Sequence, residues 1–201
     1  SRAPGRRARR TRWAIVAAVV VAVITVTAAT PQGRAAVTQL LRFAGVELRI
    51  GDTPPAPVTT PTGLPGEHEA ALEEARRQAG FPLRVPSALG PPHRVTVSDG
   101  GRLVSMFWPD GMRLDQFDGA VSPFFFKQLG PPYPDQARVG GREGWWIPGE
   151  HPLGYLSRAD GTEIPLRQAS PTLLWQRDEL NYRLEGAPTA TEAVRVAESL
   201  R

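Results

Sequence analysis

Three histidines, His68, His93 and His151, are the first residues to weigh for chemistry, because imidazole can shuttle protons or ligate a metal. They fall in a helix start, a strand start and a loop, with no metal-ligand spacing among them. Each reads as solvated or locally hydrogen-bonded. Asp115 and Asp118 stand three apart on a strand candidate. Side chains alternate faces along a strand, so this pair points opposite ways and is poorly placed as an acid/base pair. Both read as turn or surface carboxylates. No serine sits in a G-x-S-x-G elbow, and "GGREGWW" places its glycines in a hairpin rather than in a phosphate-cradling strand-to-helix turn. The chain has no cysteine, which excludes disulfides, thiolate metal sites and cysteine nucleophiles. Lys127 is the single lysine beside 23 arginines, a ratio that reads as the coding bias of a GC-rich genome. These residues define no catalytic, cofactor or metal site, and the expectation is a protein that is not an enzyme.

The aromatic residues are the remaining unusual feature. "SPFFFKQLGPPYP" carries Phe124, Phe125 and Phe126 together, and "GWWIPGEHPLGY" carries Trp145, Trp146 and Tyr155. Neighbours on a strand face opposite sides, so one of Trp145 and Trp146 enters a core and the other faces out or under a loop. Core filling accounts for such residues. An apolar groove for a hydrophobic ligand, or a docking patch for a protein partner, is the functional alternative for these six.

The elements that must position them begin with an apolar stretch. Residues 1–12 hold six arginines and no acid, and the remainder has 18 basic against 20 acidic residues. The basic balance belongs to this tail, which argues against nucleic-acid binding by the body of the chain. The tail suits anionic lipid headgroups instead. From Trp13 to Gly33 there is no charge. At about 1.5 Å per residue this stretch can cross a hydrocarbon core of about 30 Å. Arginines on its N-terminal side place that side in the cytoplasm and the bulk of the chain outside. A cleaved signal peptide has a shorter apolar run, and "TVTAATPQG" is a poor cleavage sequence, so a retained single span is expected. The first residue is Ser, which leaves room for a cytoplasmic domain upstream, its partner unknown.

Residues 34–50 follow helical spacing through Val37, Leu40, Leu41 and Ala44, which predicts a juxtamembrane amphipathic segment. Residues 51–66, rich in Pro, Thr and Gly, read as an extended spacer. The extracytoplasmic domain is expected over residues 67–201. "EHEAALEEARRQAG" reads as its opening helix, stopped by Gly80. Nine strand candidates then run from His93–Ser98 to Leu180–Leu184, punctuated by Asp99-Gly100-Gly101, Asp110-Gly111, Gly140-Gly141 and Asp160-Gly161. "APTATEAVRVAESLR" closes the chain as a helix with Thr189 and Glu192 forming a capping box. The predicted fold class is α+β: one antiparallel sheet packed by N- and C-terminal helices, preceded by one transmembrane helix.

The order of "RAAVTQLLRFAGVELRI", "LEEARRQAGFPLRVPSALGPP", "VGGREGWWIPG" and "TLLWQRDELNYRLEGAPTATEAVRVAESLR" resembles the extracytoplasmic part of actinobacterial membrane-anchored anti-sigma-factor-like proteins. More distantly it is similar to lipoprotein-carrier-like regulators, whose half-barrel sheet wraps helices. The resemblance implies a cell-envelope sensor that passes an outside signal through the span, with a binder of acyl-chain or lipoprotein ligands as the alternative. The chain departs from that family in having no sigma-binding helices and no zinc-binding His/Cys set ahead of the span.

Overall fold

A computed structural model describes residues 37–118, 124–157 and 160–201. Val37 to Arg201 form one compact unit. The transmembrane helix expected over Trp13 to Gly33 lies outside the described residues. Among those residues, no helix is long and apolar enough to cross a membrane.

The expected α+β class is overturned, because the chain is mostly β and builds two sheets. Its strands are β1 (Val37–Phe43), β2 (Val46–Gly51), β3 (His68–Glu69), β4 (Arg94–Ser98), β5 (Leu103–Phe107), β6 (Arg113–Asp118) and β7 (Phe125–Leu129). They continue with β8 (Asp135–Val139), β9 (Arg142–Ile147), β10 (His151–Leu156), β11 (Glu163–Ala169), β12 (Thr172–Arg177) and β13 (Leu180–Glu185). One sheet has eight strands in the order β3-β4-β5-β6-β13-β12-β9-β8. The other has five, β1-β2-β7-β10-β11. The expectation of purely antiparallel pairing also fails at one place, since β2 and β7 run parallel.

Two short helices occur among the described residues, α1 (Leu72–Gln78) and α2 (Ala190–Glu198). They cover only part of one face of the eight-stranded sheet, the rest of that face being packed by Phe81, Leu83, Val85 and Leu89 of the stretch after α1. Thr189 caps α2 by accepting a hydrogen bond from the Glu192 N–H, which is half of the expected capping box, while the Glu192 carboxylate pairs with Arg195. Ala193, Val196 and Ala197 of α2 and Ala75 of α1 are buried against Val104, Met106, Leu173 and Trp175.

The helical reading of residues 34–50 is corrected to a β-hairpin. Ala44 and Gly45 have φ of 47° and 67°, which makes the two-residue turn that matches strand twist. A side chain at Gly45 would meet Phe117 at 2.6 Å and Asn181 at 2.7 Å, so the turn packs directly on the eight-stranded sheet. The stretch 51–66 is not a free spacer either. Leu64 is buried in the core between the sheets, and the Thr62 N–H donates to the Leu166 carbonyl. The compact unit therefore includes residues 37–66 and does not begin at Glu67.

Two cores result. Along β12, Leu173 and Trp175 point to the helix-covered side while Leu174 points between the sheets. Leu114 and Phe117 of β6 divide in the same way. The eight-stranded sheet is thus a wall buried on both faces, and its central strands β6 and β13 bury polar and charged residues, among them Asp115, Gln116, Asn181 and Arg183, beside their apolar ones.

Candidate binding groove and buried charge cluster

The six aromatic candidates do not form one surface. Phe124, Phe125 and Tyr155 lie in the core between the sheets, with Phe124–Tyr155 and Phe117–Phe125 ring centroids 5.6 and 5.3 Å apart. Trp146 is buried on the helix-covered side, and Trp145 is half-buried against the inter-sheet core. The alternation expected for the tryptophan pair is present, but both rings meet a core. Phe126 alone points the other way, onto the outer face of the five-stranded sheet. Its ring lies where a side chain at Gly154 would be, 2.0 Å from an ideal Cβ, so glycine there makes room for the ring.

Residues 56–60 cross this outer face above Phe126 and enclose a groove of about 520 Å³. Its floor is Phe126 and Gln128 of β7, Pro152 and Leu153 of β10, and Glu163 and Pro165 of β11. The sequence places Pro54, Pro55, Pro57 and Pro61 in or beside the crossing segment, which favours an extended backbone without ladder donors. The Val58 N–H donates to the Gln168 side-chain oxygen at 3.2 Å. Gly130 packs against the segment's entry, where an added Cβ would lie 2.5 Å from the Thr53 carbonyl oxygen. At the rim, Arg49 donates twice to Glu163, at 2.9 and 2.6 Å, and once to Glu47 at 2.8 Å. Its guanidinium lies 4.6 Å from the Phe126 ring centroid. The Arg49 hydrogen bond holds the Glu163 carboxyl below the usual range, so the rim carries a fixed ion pair.

The second unusual feature is a set of charges buried between the sheets. Asp115 is not a surface carboxylate: it is fully buried beside Arg183, which is fully buried too. The Arg183 Nε donates to Asp115 at 2.6 Å and its Nη1 to Glu185 at 3.2 Å. Arg113 donates to the other Asp115 oxygen at 2.7 Å and to the Ser105 hydroxyl at 3.0 Å. Arg167 makes a two-pronged pair with Glu185 at 2.6 and 2.7 Å. Burial pushes the Asp115 carboxyl up, but Arg113 and Arg183 overcome it and hold it at about 2. Glu185 is likewise pushed up by burial and pulled further down by Arg167 and Arg183.

Lys127 and His151 complete the set, and neither is solvated. The Lys127 Nζ lies 2.5 Å from His151 Nε2 and 3.4 Å from the Thr172 hydroxyl. His151 Nδ1 faces the Gly149 carbonyl at 2.7 Å. A carbonyl accepts only, so Nδ1 carries the proton and Nε2 accepts from Lys127. Burial, then the neighbouring Lys127 charge, drives His151 down to about 2. Burial and Arg183 push Lys127 well below its ordinary value. Chemically the cluster can hold two sheets in register, because each acid is met by at least one guanidinium. His68 and His93 take no part: His68 is exposed and bonded to the Gly66 carbonyl and the Gln78 side chain, and His93 is exposed at the β4 edge. No group of three metal-ligating side chains gathers among the described residues.

Nothing in the local pattern marks Arg183 or Glu185 as buried. The available signal was Lys127 itself, a lone lysine flanked by apolar residues in "FFFKQL". Comparison of the chain with known protein families, with characterised proteins and with solved structures finds no match.

Proposed function

We propose that this chain is a single-pass membrane protein whose β domain binds an extended segment of a protein partner outside the membrane, without catalysis and in a regulatory role. The observation that carries this reading is the groove above Phe126. An extended, proline-rich segment of the chain already crosses it, and its apolar floor is bordered by backbone-like polar partners, Gln128 and Gln168. Extended polypeptides are recognised in this way, by apolar pockets with a few side-chain hydrogen bonds and a preformed backbone. The regulatory part rests on the resemblance to anti-sigma-factor-like proteins and on the apolar stretch that precedes β1. The non-catalytic part is supported by the buried acids, which are saturated by guanidinium groups and lie away from the groove.

The second reading, a carrier of an acyl-chain ligand, is favoured by Phe126, Pro152 and Pro165 lining a groove large enough for a small ligand. It is disfavoured by the other aromatic candidates, which are consumed in packing. A peptide of residues 53–62 and dodecanoate separate the two. Each is titrated into a Val58→Asp variant, whose crossing segment is loosened, and binding is followed by tryptophan fluorescence or calorimetry. Peptide binding that is lost on Phe126→Ala is the expected result. Binding of dodecanoate alone favours the carrier, and binding of neither ends the case for the groove.

A further inference from the structure

Among the described residues the two sheets have four edges, and three are closed to another strand. β3 is two residues long. β8 carries Asp135 and Arg138 and is tied to α2 by the hydrogen bond from Gly140 N–H to Glu198. β11 is covered by the 56–62 segment through the bond from Thr62 to Leu166. Charge, shortness and cover are the usual protections of a sheet edge. β1 is longer, and Arg42 is its one charge. Among the described residues it pairs only with β2, and Leu40 at its centre is 52% exposed.

We infer that two copies of this chain pair antiparallel along β1, with Leu40 of one copy opposite Leu40 of the other. The hairpin register decides which backbone groups are free. Phe43 and Val46 flank the two-residue turn and so exchange both hydrogen bonds, and Leu41 and Leu48 do the same two residues on. Leu40 and Arg42 therefore turn their N–H and C=O away from β2, toward the open edge. A strand read antiparallel to itself about Leu40 sets Leu40 against Leu40 as a hydrogen-bonded pair. The two Arg42 residues then stand four positions apart, about 14 Å, so no like charges oppose. Arg42 is also neutralised within its own hairpin by Glu47, at 3.1 Å. The alternative register, centred on Leu41, would set the Arg42 charge against Leu40 and is disfavoured on that ground. On the outer face Leu40 sits opposite Arg49, so the dimer would extend the five-stranded sheet to ten strands with the two grooves on one continuous face. β1 begins four residues after Gly33. A span ahead of β1, part of the function proposed above, would keep two copies in one membrane and raise their effective concentration.

The test uses the whole 201-residue chain in detergent, where the absence of cysteine gives a clean background. Leu40→Cys places two thiols on Cα atoms about 5.5 Å apart, within disulfide range. Under mild oxidation a disulfide-linked dimer is expected as the main species, with Leu41→Cys and Arg138→Cys remaining monomeric. Leu40→Pro removes only the outward N–H and is compatible with an edge position. It should halve the particle mass in light scattering while the unfolding midpoint of the monomer is kept. The inference is overturned if Leu40→Cys stays monomeric, if Leu41→Cys or Arg138→Cys links as well as Leu40→Cys, or if Leu40→Pro leaves the mass of the wild-type chain unchanged. Flotation with lipid vesicles scores membrane insertion separately, so a failure of the span and a failure of the pairing are told apart.

Discussion

His151 offers a quantitative test of the buried cluster. In the folded chain it is neutral, because burial and the Lys127 charge drive its pKa down to about 2. In the unfolded chain it titrates near 6.5. A group whose folded pKa is depressed leaves the extra proton on the unfolded state, so stability falls as pH falls below about 6.5. Between pH 7 and pH 5 the loss assigned to this one residue is about 2 kcal/mol, at ~1.4 kcal/mol per pH unit once the unfolded histidine is protonated. For a domain of this size that is roughly 4–8 °C in melting temperature. The perturbation is His151→Gln, which keeps an acceptor for Lys127 and removes the titration. Urea unfolding of both chains at pH 7, 6 and 5 is the assay. The variant is less stable at pH 7 but loses less on acidification, with a slope smaller by about one proton. His68 acts with the opposite sign, since hydrogen bonds to Gly66 and Gln78 raise its folded pKa, and it cancels because both chains carry it. Asp115 and Glu185 titrate in a lower window and do not enter between pH 7 and 5. Equal slopes in the two chains would mean that His151 is hydrated in the folded state, and the cluster as described would be wrong.

Arg183→Met leaves Asp115 buried with Arg113 as its remaining guanidinium partner and should cost about 3–5 kcal/mol in urea unfolding, part of which Asp115→Leu restores; additive losses would contradict the pairing. Leu174→Asp and Trp175→Asp should each abolish the folded circular-dichroism spectrum, because the two side chains enter different cores and neither has a way out to water. Gly154→Ala should lower stability by about 1–3 kcal/mol by forcing the Phe126 ring aside, and an unchanged melting temperature would mean the ring is not seated there. Leu64→Ala should cost about 2–5 kcal/mol, whereas a free spacer would register no loss.

Much of the strand content was legible because turn chemistry is local. Gly140-Gly141 and the positive φ of Gly161 close hairpins where those glycines stand, and β9 to β13 lie within a few residues of their predicted limits. The β1–β2 hairpin was hidden because Val37, Leu40, Leu41 and Ala44 satisfy helical spacing, and only the Ala44-Gly45 turn distinguishes the two. The division into two sheets was not legible at all. Leu173, Leu174 and Trp175 are all buried, so the run carries no period-two signal to say which face meets which layer. Segments 37–66 were assigned to tether and linker because Pro and Thr seldom enter a core, yet Leu64 and the Gly130 contact bind that stretch down. At the candidate site, Phe126 was named among six aromatics, but only its place opposite Gly154 separates it from its neighbours. The charge cluster joins β6, β7, β10, β11 and β13, and pairings that distant leave no trace in local pattern.

The wall shared by the two cores also sets how the domain comes apart. A sandwich with one wet face can shed its outer layer and keep the rest. Here, lifting the five-stranded sheet bares Leu174 and Phe117 on the same strands whose other side carries Trp175 and Leu114. The five-stranded sheet has no second core to retreat to, and the eight-stranded sheet keeps its helix-side core only with its other face bared to water. Backbone amides at the centre of β12 and β13 should therefore exchange with deuterium only through complete opening, all at one rate, while those of β1 and β3 exchange by fraying. Proteases would meet an all-or-none substrate, cut at the edges or not at all.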